Sequence, residues 1–385
     1  MKQKIKILFI HRSMEFGGVE KVVINQLKNL DKNIFDVTLL LKMYQGGMRD
    51  QIPADVNLIS LTKGKEDLSK FKLFFLIQLV LRNIKLRFLA KFPFFVERFY
   101  LKKKFDLIIA PTYTSFDDVL NSHDKNAKKI AWFHTDIRDG KDHNNNLRLL
   151  SKLKKFDWVV FGSRQTQQVI VDEYQINYPS SQVIYNPIDI DGTRLKSKEF
   201  QIDYEKRPVF LSIGRLNRRK GYHTLMKAHR LLLDEGIEHS IVLIGDGEEN
   251  LPLKDQAKEL DVEDSFVFYG AKSNPYPYIK ACDYYILSSD SESYPLTIGE
   301  VLILGKPIIS TNVGGISEMM THDENGLLID YSAEAMAEAM KSFIYDHDLT
   351  NRIINNNKNM EVKFDNSIIN RQIEELFVTL AKNRS

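Results

Sequence analysis

Two glutamates, Glu292 and Glu300, stand with seven residues between them in the stretch 290–305, DSESYPLTIGEVLILG. The run 284–287 before them reads as a buried strand, and 296–304 carries the apolar spacing of a helix. Ser293 is placed to cap that helix and Pro295 to sit in its first turn, where a missing N–H costs nothing. A helix N-terminus leaving a strand end attracts anions, because its free N–H groups and its dipole both favour negative charge. The pattern predicts a sugar nucleotide at this corner, with phosphate on the amides of Leu296 and Thr297 and one glutamate on each side for hydroxyls. The plainer alternative is a strand–turn–helix with two solvated glutamates.

A second charged group follows the apolar run 209–213. Arg215, Arg218, Arg219 and Lys220 lie between Gly214 and Gly221 at a strand end. Arginine forks to two phosphate oxygens and lysine adds a point charge, so the loop reads as a diphosphate clamp rather than a merely solvated basic turn. Gly245-Asp246-Gly247-Glu248 follows another strand and approaches G-x-G-x-x-G, but Asn250 holds the last glycine position, so it is not a dinucleotide fingerprint. At Gly270-Ala271-Lys272 the backbone is placed to read a base edge. In the first half, Gly17-Gly18 follows the strand 5–10 and lets backbone approach a phosphate, though such a pair is often only a tight turn. His134 ends a strand in AWFHTD, positioned either to bond a sugar hydroxyl and stabilise charge or to bond a loop carbonyl. Asp189-Ile190-Asp191 spells D-x-D but has no neighbouring ligand cluster, so no metal site is expected.

These residues need a scaffold that brings strand ends together. Apolar runs at 5–10, 35–41, 105–110, 129–133, 158–161 and 183–185 alternate with helical patterns. The rhythm repeats at 209–213, 240–244, 266–268, 284–287, 306–310 and 326–329, and helices over 333–344 and 368–380 close the chain. Strands alternating with helices predict an α/β protein with doubly wound parallel sheets and ligands at the C-terminal strand ends. At 385 residues the chain is long for one core. The charged, apolar-poor stretch 191–207 reads as a linker between a first domain over 1–190 and a second over 208–364.

Composition is that of a globular protein, with 43% hydrophobic and 27% charged residues. The lone Cys282 lies in an apolar segment and reads as core filler in a reducing compartment. The apolar run near the N-terminus breaks at His11-Arg12, too early for a signal or membrane-spanning segment, so the expected location is cytoplasmic. The net charge of +3 hides a block, 62–104, with twelve Lys/Arg against three Asp/Glu, while the remainder is acidic. One basic block implies one anionic partner surface and argues against general nucleic-acid binding. Within it Arg82, Lys85, Arg87, Lys91 and Arg98 interleave with Phe88, Phe92, Phe94, Phe95 and Phe99, as in one or two interfacial amphipathic helices on an anionic membrane. Alternatively these are domain helices with their Phe residues in the core.

Taken in order, Gly17-Gly18-Val19-Glu20, His134, Asn186-Pro187-Ile188-Asp189, Gly214-Arg215 to Lys220-Gly221, Gly245-Asp246-Gly247 and Glu292 to Glu300 resemble the retaining glycosyltransferases of family 4, of the bacterial surface-polysaccharide type. The resemblance spans essentially the whole chain. It implies the GT-B fold, two facing Rossmann-like domains with the active site in the cleft between them, and a C-terminal helix, about 365–385, crossing back to the first domain. It further implies that Arg215 and Lys220 neutralise a donor diphosphate, Glu300 holds the ribose hydroxyls, and Glu292 contacts the donor sugar beside His134. Gly17, Gly18, Gly245, Lys272, Leu296 and Thr297 complete the expected donor site, with no cofactor beyond the nucleotide-sugar substrate. The expected partners are a glycan or lipid-linked glycan acceptor and, through 62–104, the inner face of the cell membrane. Three positions depart from the pattern: Ser293 where glycine is frequent, Val301 for alanine, and Arg219 for an acidic or amide residue. A GDP-mannose donor, a soluble acceptor, a sugar-nucleotide epimerase and a non-catalytic binding partner are the rival readings.

Overall fold

The computed structural model describes residues 3–137, 143–358, 360 and 364–382. The chain divides into two compact units, Met1–Pro187 with Ser367–Ser385, and Ile188–Asn366. The first holds β1 (Ile5–His11), β2 (Phe35–Tyr44), β3 (Asn57–Lys63), β4 (Leu107–Ala110), β5 (Lys128–Phe133), β6 (Trp158–Phe161) and β7 (Ser181–Val183). They form one sheet in the order β3-β2-β1-β4-β5-β6-β7, parallel throughout. The second holds β8 (Val209–Ile213), β9 (Ser240–Ile244), β10 (Phe266–Gly270), β11 (Tyr284–Leu287), β12 (Ile308–Thr311) and β13 (Leu327–Ile329), in the order β10-β9-β8-β11-β12-β13, again all parallel. These are two Rossmann-like sheets, the arrangement of the GT-B fold.

Helices on both faces explain why most strands read as continuous apolar runs: β4, β9, β11 and β12 are buried along their whole length. In the first unit, Ile7 and Phe9 face one core layer while Leu8 and Ile10 face the other. The helix Asn366–Lys382 supplies Ile373, Leu376, Phe377 and Leu380 to the first of these layers. Phe377 meets Phe35 and Trp132 edge-on, at 6.2 and 6.1 Å between ring centroids. Where the chain passes from one unit to the next, Asn25 donates to the Pro187 carbonyl at 3.1 Å. Asn366 bonds both the N–H and the carbonyl of Ile188.

The structure differs from the sequence reading in four places. The linker over 191–207 begins as a helix, Ile190–Lys196, and belongs to the second unit; Asp189 caps it by accepting from the Gly192 N–H at 2.9 Å. The first Asp of the D-x-D is therefore a helix cap. Strand β3 was not expected, because at the sheet edge Leu61 alone of its residues is fully buried and no long apolar run marks it. The helix His347–Asn357 was also not expected; its polar sequence is held by the Asp346 cap and by buried Leu349 and Ile353.

The fourth difference concerns the basic, Phe-rich block. It forms one long helix, Lys72–Lys91, then a short turn Pro93–Phe95 and a π-helical segment Val96–Leu101. Of the long helix only Leu89 is fully buried, and Leu86, Val96 and Tyr100 are partly buried against the same core layer. Phe71, Leu73, Phe74, Val80, Leu81, Ile84, Phe88, Phe94 and Phe99 are all exposed, Phe71 to 77% and Phe74 to 60%. The Phe residues of this stripe therefore lie mostly on the surface of the unit rather than in its core.

Candidate active site

Each sheet reverses its winding once, between β1 and β4 and between β8 and β11. At such a point the loops leaving adjacent strands diverge and open a crevice at the C-terminal edge. In the second unit those loops are 214–221 after β8 and 288–295 after β11. They are fastened to each other. The Ser288 hydroxyl donates to the Lys220 carbonyl at 2.8 Å, and the Asp290 N–H donates to the Arg219 carbonyl at 2.9 Å. The first loop holds its shape because the Asn217 side chain accepts from the Lys220 N–H, capping the 3-10 turn Arg218–Lys220.

Glu292 lies at the junction. The Lys220 ammonium approaches its Oε1 at 2.6 Å, and the Ser289 hydroxyl donates to the same oxygen at 2.7 Å. Burial alone raises a carboxyl's pKa, but here Lys220, Arg219 and Ser289 outweigh it and hold Glu292 below the ordinary carboxylate value. The glutamate is therefore a buried carboxylate anion at neutral pH. Its backbone rests on Gly314, whose φ is +60°; a Cβ there would lie 1.4 Å from the Glu292 carbonyl oxygen.

Glu300 sits in the middle of the helix Leu296–Ile303, 3% exposed, with the Tyr276 hydroxyl donating to its Oε1 at 3.0 Å. The helix start differs from expectation. Pro295 is itself the extended N-cap, and no side chain caps the helix; Ser293 lies upstream, where its carbonyl accepts from the Gly315 N–H at 2.9 Å. That bond and Gly314 tie 292–293 to the turn that follows β12. Leu296 and Thr297 are the first two helical residues, so their amides belong to the end where N–H groups lack intrahelical acceptors.

The remaining donor-side candidates are distributed differently. Arg215 is 70% exposed and pairs with Glu248 at 3.2 Å, while Arg218 pairs with Glu249 at 3.4 Å. Glu249 also binds His223 at 2.7 Å, which helps hold its carboxyl below the ordinary value. The basic loop is thus balanced by acids from the turn after β9 as well as by Glu292. Gly245 provides the close approach between these loops, since a Cβ there would meet the Gly214 carbonyl oxygen at 1.8 Å. Lys272 places its ammonium over the rings of Tyr269 and Tyr278, 5.9 Å from each centroid. It is Tyr276, four residues further on, that touches Glu300. Cys282 is buried, with its thiol pushed up to about 12 by burial, in keeping with core filler.

In the first unit β1 ends at His11, and the helix Gly18–Asn29 begins with Gly17 as an extended N-cap. Glu20 folds back over that helix start: a Cβ on Gly17 would lie 2.3 Å from its Oε2, whereas Gly18 has open space. Its other oxygen lies 3.4 Å from His11 Nε2. His134 follows β5 and is half-buried; its Nδ1 is buried with no hydrogen-bond partner among the described residues. Burial, assisted by His11, pushes its pKa down to about 4. The imidazole is neutral at physiological pH, so it acts through an N–H or a lone pair and not through a positive charge.

Sequence reasoning did not single out Ser289, Tyr276, Glu248, Glu249 or His11. His11 had a signal, a titratable residue closing an apolar strand at its C-terminal end. Ser289 had a weaker one, a small hydroxyl just past a strand.

Residues 16–191 match the family described as Glycosyltransferase Family 4, and residues 194–360 match Glycosyl transferases group 1. The chain is a family 4 glycosyltransferase. It is 26% identical over 348 residues to an uncharacterized glycosyltransferase of Haemophilus influenzae, spanning 89% of this chain and 90% of that one. It is 25% identical over 376 residues to the N-acetylgalactosamine-N,N'-diacetylbacillosaminyl-diphospho-undecaprenol 4-alpha-N-acetylgalactosaminyltransferase of Campylobacter jejuni, spanning 94% and 96%. The crystal structure of Anabaena HepE in complex with UDP-glucose superposes with a TM-score of 0.74 at 22% identity, covering 97% of this chain and 100% of that one. Within this glycosyltransferase the two named glutamates and the basic loop all lie at the β8/β11 edge, and His134 lies at the corresponding edge of the first sheet.

Proposed function

We propose that this glycosyltransferase moves a hexose or N-acetylhexosamine, with retention of anomeric configuration, from a UDP-sugar to a growing polyprenyl-linked surface glycan. The observation that carries the donor half is the buried Lys220–Glu292 pair joining the β8 and β11 loops. Cleaving the bond between the anomeric carbon and the phosphate oxygen builds positive charge on the sugar ring and negative charge on the departing diphosphate. Lys220, Arg215 and the amides of Leu296 and Thr297 would meet the diphosphate, where their attraction grows as the bond breaks. The acceptor hydroxyl would attack from the same face and give its proton to the leaving phosphate, so no double-displacement nucleophile is assigned and no metal is required. Glu300 would hold the ribose and chiefly set donor affinity. Glu292 would read the sugar and affect turnover and sugar choice. His134, uncharged, would bond a sugar hydroxyl through its ring nitrogen.

The acceptor half rests on the exposed helix Lys72–Lys91 and the segment after it. Contiguous exposed apolar surface of this extent marks an interaction site, and its basic residues suit an anionic membrane at about 1 kcal/mol each. No described helix is long and apolar enough to cross a membrane, so contact would be interfacial. The named activity of the Campylobacter relative, on a diphospho-undecaprenol-linked sugar, points the same way.

The test is a donor screen by mass spectrometry with UDP-, GDP- and dTDP-sugars and a polyprenyl-diphosphate glycan acceptor, with EDTA present, followed by NMR of the product anomer. Retained UDP-sugar transfer is the expected result. A GDP-mannose preference, a soluble acceptor, inversion, or release of an altered free sugar without acceptor would each replace a named part of the proposal. Neutralising Lys85, Arg87, Lys91 and Arg98 together should lower binding to anionic liposomes; unchanged binding would remove the membrane part.

A further inference from the structure

We infer that Ser289 is a positioning residue for the donor sugar, acting by fixing which oxygen of Glu292 faces the substrate. The inference rests on the proposed contact between Glu292 and the sugar and extends it to a residue that touches no substrate itself.

Three observations combine. Among the described residues, both donors to the Glu292 carboxylate, the Lys220 ammonium at 2.6 Å and the Ser289 hydroxyl at 2.7 Å, go to Oε1. A carboxylate gripped at one oxygen from two directions loses its freedom to rotate about the terminal torsion, which is otherwise broad, and presents Oε2 in one orientation. Second, Ser289 is itself held. Its carbonyl accepts from the Thr311 hydroxyl at 2.5 Å, and Ser289 and Thr311 are both fully buried. Thr311 is the last residue of β12, so the chain Thr311–Ser289–Glu292 transmits the rigidity of the sheet to a carboxylate on a loop. Third, the main chain of Glu292 is propped from the same side by Gly314, three residues beyond Thr311.

Lys220 alone would not do this. Donor binding asks that ammonium to serve the diphosphate as well, and an ammonium is a point charge with three rotatable donors and no preferred plane. Ser289 supplies a directional bond that does not change partners when the donor arrives. The hydroxyl therefore matters most to the discrimination between donor and nucleoside diphosphate, which differ by the sugar that Glu292 reads.

The experiment uses the full chain, the donor that the screen identifies and its nucleoside diphosphate. Binding of each is measured by calorimetry, and turnover is followed in parallel. Ser289→Ala is expected to weaken binding of the nucleotide sugar about 5–10-fold, the worth of one ordinary hydrogen bond felt through Glu292, while nucleoside diphosphate binding stays within twofold. Ser289→Cys, nearly isosteric but a poor donor, should behave alike and separates the bond from packing if the alanine variant folds badly. Thr311→Val should shift the same ratio in the same direction by less. In a Glu292→Gln background, adding Ser289→Ala should change the ratio by less than twofold, since the residue it acts through is gone. Equal weakening of both ligands by Ser289→Ala, or a full additional loss in the Glu292→Gln background, overturns the inference. If Glu292→Gln alone leaves both the ratio and turnover at wild-type values, the proposed role of Glu292 fails, and that failure is read independently of Ser289.

Discussion

The two sheets share a strand order and a reversal point, yet their C-terminal edges are chemically unlike. The β8/β11 edge carries a buried ion pair, Lys220–Glu292, surrounded by further pairs of Arg215 with Glu248 and Arg218 with Glu249. The edge of the first sheet carries His134, neutral at physiological pH, beside His11 and Glu20. A shared backbone plan has been fitted with two kinds of chemistry, a cluster of buried and paired charges on one and a buried neutral imidazole on the other. Fold alone therefore gives each sheet a crevice at its C-terminal edge, and the side chains concentrate charge pairs at that of the second.

That contrast orders the expected losses. The largest belongs to Lys220→Met, which strands a buried carboxylate. It should lower unfolding stability by about 3–5 kcal/mol and turnover by roughly 10²–10³-fold. Adding Glu292→Gln should restore the melting temperature without restoring transfer. With Lys220 gone, burial dominates at Glu292 and its carboxyl moves upward, so the acid limb of turnover should shift toward neutral pH. A melting temperature unmoved by Lys220→Met would show that the pair is not the charged centre of this edge.

Next comes His134→Asn, expected to reduce turnover about tenfold, the worth of the one hydrogen bond proposed to a sugar hydroxyl, with little change in unfolding at pH 7.5. A histidine whose folded pKa is lowered binds fewer protons folded than unfolded, so its neutral burial becomes destabilising as pH falls through the ordinary value near 6.5 toward the folded value of about 4. The asparagine variant should lose less melting temperature than wild type over that interval. Buried His229 and His239, bonded to each other at 2.7 Å and both held low by burial, contribute a slope of the same sign in both proteins. If wild type and variant lost stability equally, the neutral-histidine side of the contrast would be wrong.

Tyr276→Phe should weaken donor binding by roughly 3–10-fold with kcat little changed, since it frees a buried oxygen of Glu300 from one hydrogen bond. A fall in kcat instead would move Glu300 from affinity to chemistry. Smallest is Glu248→Gln, which breaks an exposed pair with Arg215 worth about 0–1 kcal/mol; thermal denaturation should hardly register it. A drop of several degrees would mean that the peripheral pairs are structural, narrowing the difference between the edges.

Much of the architecture was legible in the sequence because strands covered on both faces must be apolar on both faces, which is why β1, β8 and β9 stand out. The edge strand β3, with one fully buried side chain, gives no such run, and the polar helix His347–Asn357 is held by a cap and two apolar contacts that spacing alone barely marks. At the site, charged residues following strands flagged Arg215, Lys220, Glu292 and Glu300. What was hidden is pairing across the sheet: nothing local says that Lys220 meets Glu292, that Tyr276 meets Glu300, or that Thr311 holds Ser289. The Phe-rich block was visible by composition, but its burial was not, since exposed and buried phenylalanine look identical in a sequence.

The helix Asn366–Lys382 also bears on the timing of biosynthesis. Its Ile373, Leu376, Phe377 and Leu380 complete the layer that includes Phe35 and Trp132, so a nascent chain cannot finish its first unit until this helix leaves the ribosome. The second unit, continuous from Ile188 to Asn366, lies wholly between. At ordinary elongation rates of ~5–20 residues per second, that delay is roughly 10–40 s. During it, the apolar surface that the helix later covers stands open to chaperones, and of the two units the one begun first is the one closed last.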